Sequence, residues 1–484
     1  MIDLASIPNS SNLMVDLHCH PSIKPFGRAY PQNQNSSYPD ARNSIWKFDH
    51  PRGLDRCVNK VTTLTKFSQA NFTAMYLGNV RVALCALNPI ERSFFRSCLG
   101  TGLTGDLLYN LATGIGRRKI NFIQSMENYW AEFIRERDFY AQLDNFPIEF
   151  GSRILRYKLT KNYSEVDVNL SNPDIISVVF TVEGAYIFNE ICSGTPDQAR
   201  TLANIDDVKR WPHVPFFVSL MHHYYNHLGG HAKSFHGIVD KVCNQSFGMG
   251  TGLTPFGREV IRKLLKRNAE KRIHIDIKHM NCRSRMDYYD LLDNEYSNET
   301  EKPPVFVSHG ALNGYPSINC DIPDDVDNGD FYGGNVNFCD DEIIRITQSN
   351  GVFGLQLDDR LLSSKSIKRE ARKGSRQEKL KKIAGIIWNQ IRHAAEVLDE
   401  NGLDAWGTVA MGTDYDGIVD PPNGYWTSAE LPLLYCNLFG YVRDYLKPGN
   451  CKLHMASNYQ RSEDEIMQNL FSENARRFMA RYYV

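Results

Sequence analysis

Eight short apolar runs recur along the chain, and most of them are followed by a stretch with helical spacing. They lie at 13–17, 80–87, 175–182, 215–221, 273–277, 304–307, 351–357 and 407–412. Runs of this length that are apolar throughout are typical of buried parallel strands. Eight strands alternating with helices predict an α/β fold, specifically a (β/α)8 TIM barrel.

Three segments interrupt this alternation and predict insertions. The segment 21–50 is rich in Pro, Asn, Ser and Tyr and predicts an extended loop. The segment 90–170 contains no comparable apolar run and predicts a helical insertion. The segment 320–335 is acidic and rich in glycine, which indicates a loop. A length of 484 residues suits one large barrel with insertions or two domains, and we expect a single barrel domain over 1–484.

Composition narrows the class of protein. The formal net charge is -1, with 42% hydrophobic and 23% charged residues, so no strong field favours a nucleic acid or an anionic membrane as partner. No apolar run approaches the roughly 18 residues of a membrane span, and the N-terminus lacks the pattern of a signal peptide. The 11 cysteines are scattered without a CxxC pair, which predicts no disulfide framework and a cytoplasmic location. The sequence leaves a homo-oligomer open.

Polar residues able to bind a metal follow six of the eight runs. They are His18 with His20, Glu183, His222, His279, His309 and Asp414. In a barrel, the C-terminal ends of the strands meet on one face, so these side chains are expected to converge. Imidazole and carboxylate groups are the ligands that a borderline-soft divalent metal prefers.

The spacing of these residues predicts two metal ions. His18 and His20 project from the same side of a strand end and suit one ion. His279 and His309 suit a second ion. Glu183 is the natural bridge, because a carboxylate can give one oxygen to each ion. Two ions about 3.5–4 Å apart can share a hydroxide and polarise a carbonyl group.

Two further residues have the chemistry that such a centre needs. Asp414 can act as the base that takes a proton from the metal-bound water and later protonates the leaving group. His222 can donate a hydrogen bond to the oxyanion of a tetrahedral intermediate. Their neighbours have other interpretations: His223 should point away from the site, and Asp416 is expected to cap a helix rather than to act as an end-of-strand ligand.

With these residues in place, the chain resembles the membrane (renal) dipeptidase family of zinc metallopeptidases, within the amidohydrolase superfamily. The matching stretches are Val182-Glu183-Gly184, Leu220-Met221-His222, Gly252-Leu253-Thr254-Pro255-Phe256-Gly257, Ile275-Asp276-Ile277-Lys278-His279, Val307-Ser308-His309, Gly412-Thr413-Asp414-Tyr415-Asp416-Gly417 and Asn474-Ala475. The resemblance implies a barrel of the metal-dependent hydrolase type with two zinc ions per chain, which hydrolyses the amide of a dipeptide or a similar small molecule.

Two positions depart from the family pattern. The family usually has an aspartate where this chain has His20, although the wider superfamily uses a His-x-His pair there. The family also carries an arginine that binds the substrate carboxylate, and the corresponding stretch, 335–341, contains none. Arg360, just past the seventh run, is our candidate to replace it, although Asp358 and Asp359 beside it could neutralise its charge.

The sequence therefore predicts a cytoplasmic, binuclear zinc hydrolase that cleaves dipeptides or similar small amides. Two alternatives stay open. One is a metal-dependent phosphoesterase, because Asp16-Leu17-His18-Cys19-His20 also resembles the opening of the polymerase-and-histidinol-phosphatase domain. The other is a non-catalytic binding protein whose insertions have closed the site.

Overall fold

The computed structural model describes residues 12–266, 271–417 and 419–484 of the chain. All eight predicted strands form within these residues. Four short strands join them, so that the described strands are β1 Met14–Cys19, β2 Val80–Leu87, β3 Ile148–Phe150, β4 Arg153–Leu159, β5 Ile175–Glu183, β6 Phe217–Ser219, β7 His274–Asp276, β8 Val307–Gly310, β9 Asp327–Asn328, β10 Phe331–Tyr332, β11 Phe353–Leu355 and β12 Val409–Met411.

The eight predicted strands run parallel in two neighbouring sheets. The first sheet has the order β1-β2-β5-β6-β7, and the second has the order β8-β11-β12. Backbone hydrogen bonds also connect the two sheets: Ile277 N donates to Phe306 O at 3.3 Å, and His20 N donates to Tyr415 O at 2.8 Å. The expected α/β fold with a predominantly parallel sheet is confirmed.

Helices connect the strands and surround them. They are α1 Ile23–Ala29, α2 Gly53–Thr62, α3 Phe72–Leu77, α4 Leu103–Thr113, α5 Arg117–Ser125, α6 Tyr129–Ala141, α7 Tyr163–Leu170, α8 Gln198–Lys209, α9 Gly237–Val242, α10 Pro255–Leu265, α11 Cys282–Glu295, α12 Asp340–Gln348, α13 Asp359–Leu362, α14 Lys365–Ala371, α15 Arg376–Glu400, α16 Leu431–Tyr445, α17 Ala456–Tyr459, α18 Glu463–Gln468 and α19 Asn474–Tyr482. Short 3-10 helices lie at Arg92–Phe95, Ala185–Phe188 and Ser428–Glu430, and a π-helical turn lies at Asn469–Glu473. Among the described helices, none has the length and apolar character needed to cross a bilayer.

The insertions differ in part from the expectation. Segment 90–170 contains helices α4 to α7, but the prediction that it lacks a strand is wrong, because β4 pairs in parallel with β5 and β3 pairs with β4. In β4, buried Leu155, Tyr157 and Leu159 alternate with charged residues. Such alternation is typical of a strand with one solvent-exposed face, whereas the eight predicted strands come from apolar runs. Segment 320–335 contains the β9–β10 hairpin.

The core leaves the C-terminal ends of the strands for polar groups. Every residue of β2 and β5 is buried, as expected for parallel strands that are covered on both faces. At the opposite ends, Phe478 of α19 packs against Phe216 and Phe306, with ring centroids 5.4 and 4.9 Å apart. These two phenylalanines directly precede β6 and β8. Aromatic packing therefore covers the N-terminal ends of the strands, and the candidate functional residues lie at the other ends.

A buried carboxylate crosses the junction between β1 and β12. Asp16 accepts hydrogen bonds from Thr413 N at 2.9 Å and from Thr413 Oγ1 at 2.6 Å, and it also accepts one from His18 N. Burial raises the pKa of Asp16 to about 6, although these donors act in the opposite direction. Asp16 thus joins the strand end that carries His18 to the residue that precedes Asp414.

A second buried carboxylate crosses the junction between β7 and β8 in the same way. Asp276 accepts hydrogen bonds from Ser308 N at 3.0 Å, from Ser308 Oγ at 2.6 Å and from Ser219 Oγ at 2.6 Å. It also accepts from Lys278 N at 3.1 Å. Asp276 therefore joins the ends of β6, β7 and β8, from which His222, His279 and His309 follow.

A disulfide connects Cys282, at the start of α11, to Cys320, in the loop between β8 and β9. The sequence did not predict this pair, because the two cysteines are 38 residues apart and belong to no spacing motif. The bond attaches the loop that follows His309 to the helix that follows His279.

Replacing Asp276 by alanine is expected to lower the free energy of unfolding by about 3 kcal/mol, because four buried donors lose their acceptor. Asp276→Asn retains one acceptor oxygen and should have an intermediate effect. Exposed Asp40 is the matched control, and Asp40→Ala should change stability by no more than about 0.5 kcal/mol. Urea unfolding of the three variants measures these differences. Equal stability of the two alanine variants would contradict the structural role of Asp276.

Candidate metal centre

Two histidines lie at the end of β1, as the sequence predicts. The Nε2 atoms of His18 and His20 are 3.0 Å apart, and both side chains are fully buried. His18 Nε2 lies 3.4 Å from Glu183 Oε1, and His20 Nε2 lies 3.1 Å from Glu183 Oε2. Two ring nitrogens and a carboxylate at these separations can converge on one metal ion, because zinc binds such atoms at about 2.0–2.2 Å.

Glu183 is the last residue of β5 and lies at the centre of the site. Only 2% of its surface is exposed. Asn88 Nδ2, just beyond the end of β2, donates a hydrogen bond to Glu183 Oε2 at 3.0 Å and fixes the carboxylate. The next residue must be glycine: Gly184 has a φ of +90°, and a Cβ there would lie 2.2 Å from the Tyr186 ring and 3.2 Å from the Cβ of His222.

Two more histidines approach the same carboxylate. His279 Nε2 lies 3.0 Å from Glu183 Oε1, and His309 Nε2 lies 3.5 Å from that oxygen. His279 has a φ of +66°, in the left-handed region that residues with a Cβ seldom occupy. Backbone strain of this kind is concentrated at functional sites, where the surrounding structure maintains it.

The hydrogen bonds around His309 determine which ring nitrogen carries the proton in the neutral ring. Ser308 Oγ donates to Asp276 Oδ2, so towards His309 Nδ1, at 2.9 Å, it can only accept. His309 Nδ1 therefore carries the hydrogen, and the lone pair of Nε2 faces the centre. His309 Nε2 is buried without a hydrogen-bond partner among the described residues, as a metal-binding nitrogen would be.

Asp414 lies beside the same group of rings. Its Oδ1 is 3.5 Å from His20 Nε2, and its Oδ2 is 3.6 Å from His309 Nε2. The side chain is 13% exposed, whereas those of His18, His20 and His309 are fully buried, so Asp414 is the more accessible group. Burial, together with the charge of Glu183, raises the pKa of Asp414 above its usual value, which suits a group that exchanges protons.

His222 is oriented by a carboxylate that the sequence did not single out. His222 Nδ1 lies 2.8 Å from Glu91 Oε2, and His222 Nε2 lies 3.4 Å from Glu183 Oε2. Glu91 also accepts hydrogen bonds from the backbone amides of His223 and Tyr224. Glu91 follows β2 in a loop without a motif, so no local signal identifies it. The His223 ring bonds to Ser234 Oγ, but its centroid lies 3.7 Å from that of His222 and 5.5 Å from that of His279, so it does not point away from the site as expected.

The charges in the centre depend on one another. Burial by itself would raise the pKa of Glu183, but His222, His18 and His20 hold it well below its usual range. Burial favours a neutral His20, but Glu183 and Asp414 outweigh it and raise the pKa of His20 to about 10. Burial lowers the pKa of His279 to about 3. A metal ion bound here would displace the His20 proton, since a ligating nitrogen must be deprotonated.

Three overlapping groups of side chains have the geometry of a metal site. They are His18, His20 and Glu183; Glu183, His222 and His279; and His18, His309 and Asp414. The first group is the one expected for the first ion. The second group contains His222 where the sequence predicts His309, so the two histidines compete for the remaining position of the second ion.

A buried lysine beside the centre was also missed from the sequence. Lys278 lies next to His279 in the chain, and its Nζ donates to Gln356 Oε1 at 3.3 Å. Burial lowers the pKa of Lys278, while Asp414 is the first of the carboxylates that oppose this effect. The charge of Lys278 in turn contributes to the low pKa of His309. The sequence gives no signal for Lys278, because the histidine is the residue of this motif that has metal-ligand chemistry.

The two remaining charged residues named from the sequence have partners. Arg360 Nε lies 2.9 Å from Asp358 Oδ1 and 3.0 Å from its Oδ2, so this aspartate balances the guanidinium charge. Asp416 accepts from Lys24 Nζ at 2.5 Å and from the backbone amides of Gln69 and Ala70. Asp416 thus anchors the loop before α3 and makes no contact with the histidine cluster among the described residues.

Solved structures with a similar fold are metallopeptidases. The chain matches dipeptidase AC, a metallopeptidase of family M19, over 90% of its own length and 97% of that chain, at a TM-score of 0.50 and 16% identity. It matches the probable dipeptidase PvdM from Pseudomonas aeruginosa over 97% of its own length and 95% of that chain, at a TM-score of 0.53 and 12% identity. No protein-family model and no curated protein matches the chain. The resemblance predicted from the motifs is therefore confirmed at the level of the fold.

Zinc should stabilise the folded protein, because the cluster exists only in the folded chain. At a free zinc concentration 100 times the dissociation constant, the free energy of unfolding should rise by about 2.7 kcal/mol. Glu183→Gln should abolish this increase, since an amide lacks the negative charge that the carboxylate places among the histidine rings. Exposed His454 provides the control, and His454→Ala should respond to zinc as the unchanged protein does. Thermal unfolding of metal-free samples with added zinc checks this, and an unchanged Tm would contradict the assignment.

Proposed function

We propose that this chain, which shares the fold of metallo-dipeptidases, is itself a binuclear zinc hydrolase that cleaves the amide bond of dipeptides or similar small molecules. One observation supports this most strongly. Five imidazole rings, those of His18, His20, His222, His279 and His309, each place a nitrogen within 3.0–3.5 Å of an oxygen of the buried Glu183 carboxylate. Imidazoles around one carboxylate are a donor set for zinc, and two such ions close together form a hydrolytic centre.

We also propose that the two parallel sheets close into a single (β/α)8 barrel domain. The support comes from the junctions between the sheets, where backbone hydrogen bonds already pass from Ile277 to Phe306 and from His20 to Tyr415. Asp16 and Asp276 add side-chain bonds across the same two junctions. Closure would bring all six strand ends that carry site residues to one mouth, where barrel enzymes have their active sites.

In this proposal each ion has its own pair of histidines. His18 and His20 would hold the first ion, His279 and His309 would hold the second, and the Glu183 carboxylate would serve both. His309 supports the second ion because the hydrogen bond at its Nδ1 leaves the Nε2 lone pair directed inward. His222 is then left for the substrate.

The remaining residues supply proton transfer and orientation. When bound, the ions supply Lewis-acid activation of a water molecule and of the substrate carbonyl group. Asp414 takes the proton of the attacking water on a carboxylate oxygen and delivers it to the leaving amine. His222 donates a hydrogen bond from Nε2 to the carbonyl oxygen as charge develops there. Glu91 holds the His222 ring by its Nδ1, so that Nε2 faces the centre.

Recognition of the substrate carboxylate is assigned in this proposal to Arg360. Its side chain is 14% exposed, and the charges of Asp358 and Asp414 are among those that raise its pKa. The guanidinium is therefore close enough to the proposed base to interact with its charge. Asp358 holds the arginine in position, and the planar guanidinium matches the geometry of a carboxylate.

Zinc-reconstituted protein is expected to hydrolyse at least one member of a dipeptide panel, with release of free amino acids as the measurement. Asp414→Asn should lower kcat by about 10²–10⁴-fold, because the amide cannot shuttle a proton. An aryl phosphate tested in parallel addresses the phosphoesterase alternative. No dipeptide turnover by a fully zinc-loaded sample would exclude the peptidase assignment, and turnover of the phosphate alone would favour the alternative.

Metal analysis of purified variants separates the ligands from the substrate-facing residue. His279→Ala and His309→Ala should each reduce the zinc content from about two ions per chain to about one. His222→Ala should keep both ions but lower kcat by about 10²–10³-fold, as expected for loss of an oxyanion donor. His454→Ala is the matched control. Loss of an ion from His222→Ala, with full zinc in His309→Ala, would reverse the two roles.

A further inference from the structure

Helix α2 has its apolar side chains on the solvent side. Leu54 and Val61 are 69% and 73% exposed, although they lie seven residues apart on the same face. The buried residue of this helix is polar: Asn59 donates from Nδ2 to Asp420 Oδ1 at 3.0 Å and to Leu64 O at 3.3 Å. An ordinary surface helix buries its apolar stripe and exposes its polar face, so α2 has the reverse arrangement.

Helix α4 shows the same reversal and contacts α2. Leu103, at 63% exposure, is followed by three more exposed leucines, Leu107, Leu108 and Leu111. The side of α4 that faces the protein carries Asp106, which is 2% exposed and accepts a hydrogen bond from Gln124 Nε2 at 3.0 Å. On α4 the aromatic Tyr109 packs in the core, 5.1 Å from the Phe95 ring between centroids, but none of the four leucines does.

We give the exposed apolar residues of these two contacting helices, together with Leu99, the name leucine surface. It consists of Leu54, Val61, Leu99, Leu103, Leu107, Leu108 and Leu111. Single exposed apolar residues are normal, but two neighbouring helices that both expose leucine and bury polar groups are characteristic of a binding surface. The surface lies on the side of the strand ends, since Asn59 is bonded to Asp420, six residues beyond Asp414.

Positive charge accompanies the leucine surface. Arg52 and Lys60 are exposed on and next to α2, and Arg117 and Arg118 are exposed where α5 begins, next to α4. None of these four forms an ion pair with another residue in the described part of the chain. The segments 52–62 and 99–118 contain only two acidic residues, Asp55 and the buried Asp106. The region is thus basic in a chain whose formal net charge is -1.

The positive charge of this region distinguishes between two possible partners of the surface, a second copy of the chain and a lipid bilayer. A second copy of the chain would bring two identical basic borders together, and their repulsion opposes association. A bilayer with anionic lipids is complementary in both respects, because its headgroups attract the arginines and the lysine while the leucines enter the boundary of the acyl chains. We propose that the leucine surface docks the protein onto an anionic membrane surface, without a membrane-spanning segment.

Vesicle co-sedimentation of the full zinc-loaded chain tests this. The protein is expected to bind vesicles of phosphatidylcholine with 30% phosphatidylserine at least about tenfold more tightly than vesicles of phosphatidylcholine alone, and salt should weaken the binding. The double variant Leu107→Gln/Leu111→Gln should reduce binding about tenfold or more, as should Arg117→Glu/Arg118→Glu. Glutamine preserves helix propensity, so α4 should remain folded.

Val168 on α7 provides the matched control, because it is 71% exposed and belongs to another part of the fold. Val168→Gln should bind as the unchanged protein does, and thermal unfolding should confirm that all variants are folded. Equal binding to the two kinds of vesicle, or equal loss in the Val168 variant, would overturn the proposal. Sedimentation velocity tests whether a second copy of the chain binds this surface instead. A dimer that the leucine variants dissociate, with no preference for anionic vesicles, would assign the surface to a second copy. None of these readouts depends on hydrolytic activity.

Discussion

The carboxylate of Glu183 is the group on which the rest of the site depends. It is 2% exposed, and five histidine rings and the amide of Asn88 lie within 3.5 Å of its oxygens. A buried charge is costly unless it is paired, so these rings must be held against the carboxylate, with a proton or a metal ion providing the balancing charge. The pKa of Glu183 stays low, whereas the pKa of His20 is raised. When a proton provides the balancing charge, that proton is therefore on His20 and not on Glu183.

The parallel strands make this arrangement possible. His18 and His20 lie at the end of one strand, and each of the other histidines belongs to the end of a different strand. The distances in the centre therefore depend on how neighbouring strands are aligned. Asp16 and Asp276 control that alignment, since they join the strand ends through buried hydrogen bonds. Asp276 also determines the tautomer of His309 through Ser308. The same side chain therefore contributes to the stability of the fold and to the chemistry of the centre.

Much of the fold and of the site can be predicted from the sequence, because both follow from a strong local signal. Apolar runs identify the eight strands, and six of these runs lead into site residues. The structure brings those residues together: His18, His20, Glu183, His222, His279, His309 and Asp414. What could not be predicted depends on contacts that are distant in the chain. Glu91 meets His222 across 131 residues, and Cys282 meets Cys320 only because a loop returns to α11.

Other features were missed because their local pattern indicates something else. Charged residues alternate with apolar ones in β4, so this strand does not resemble the buried runs around it. The leucines of α4 are large apolar residues, which normally pack on the core, and only the structure shows that Asp106 and Tyr109 occupy the inner side instead.

The proposed function depends on a Glu183 carboxylate that bridges two metal ions. Anomalous diffraction at the zinc absorption edge, from crystals of the zinc-loaded chain, tests this most directly. We predict two anomalous peaks about 3.5–4 Å apart, one on each side of the Glu183 carboxylate, the first against His18 and His20 and the second against His279 and His309. The absence of a peak near Glu183, or two peaks bound elsewhere on the chain, would contradict the account.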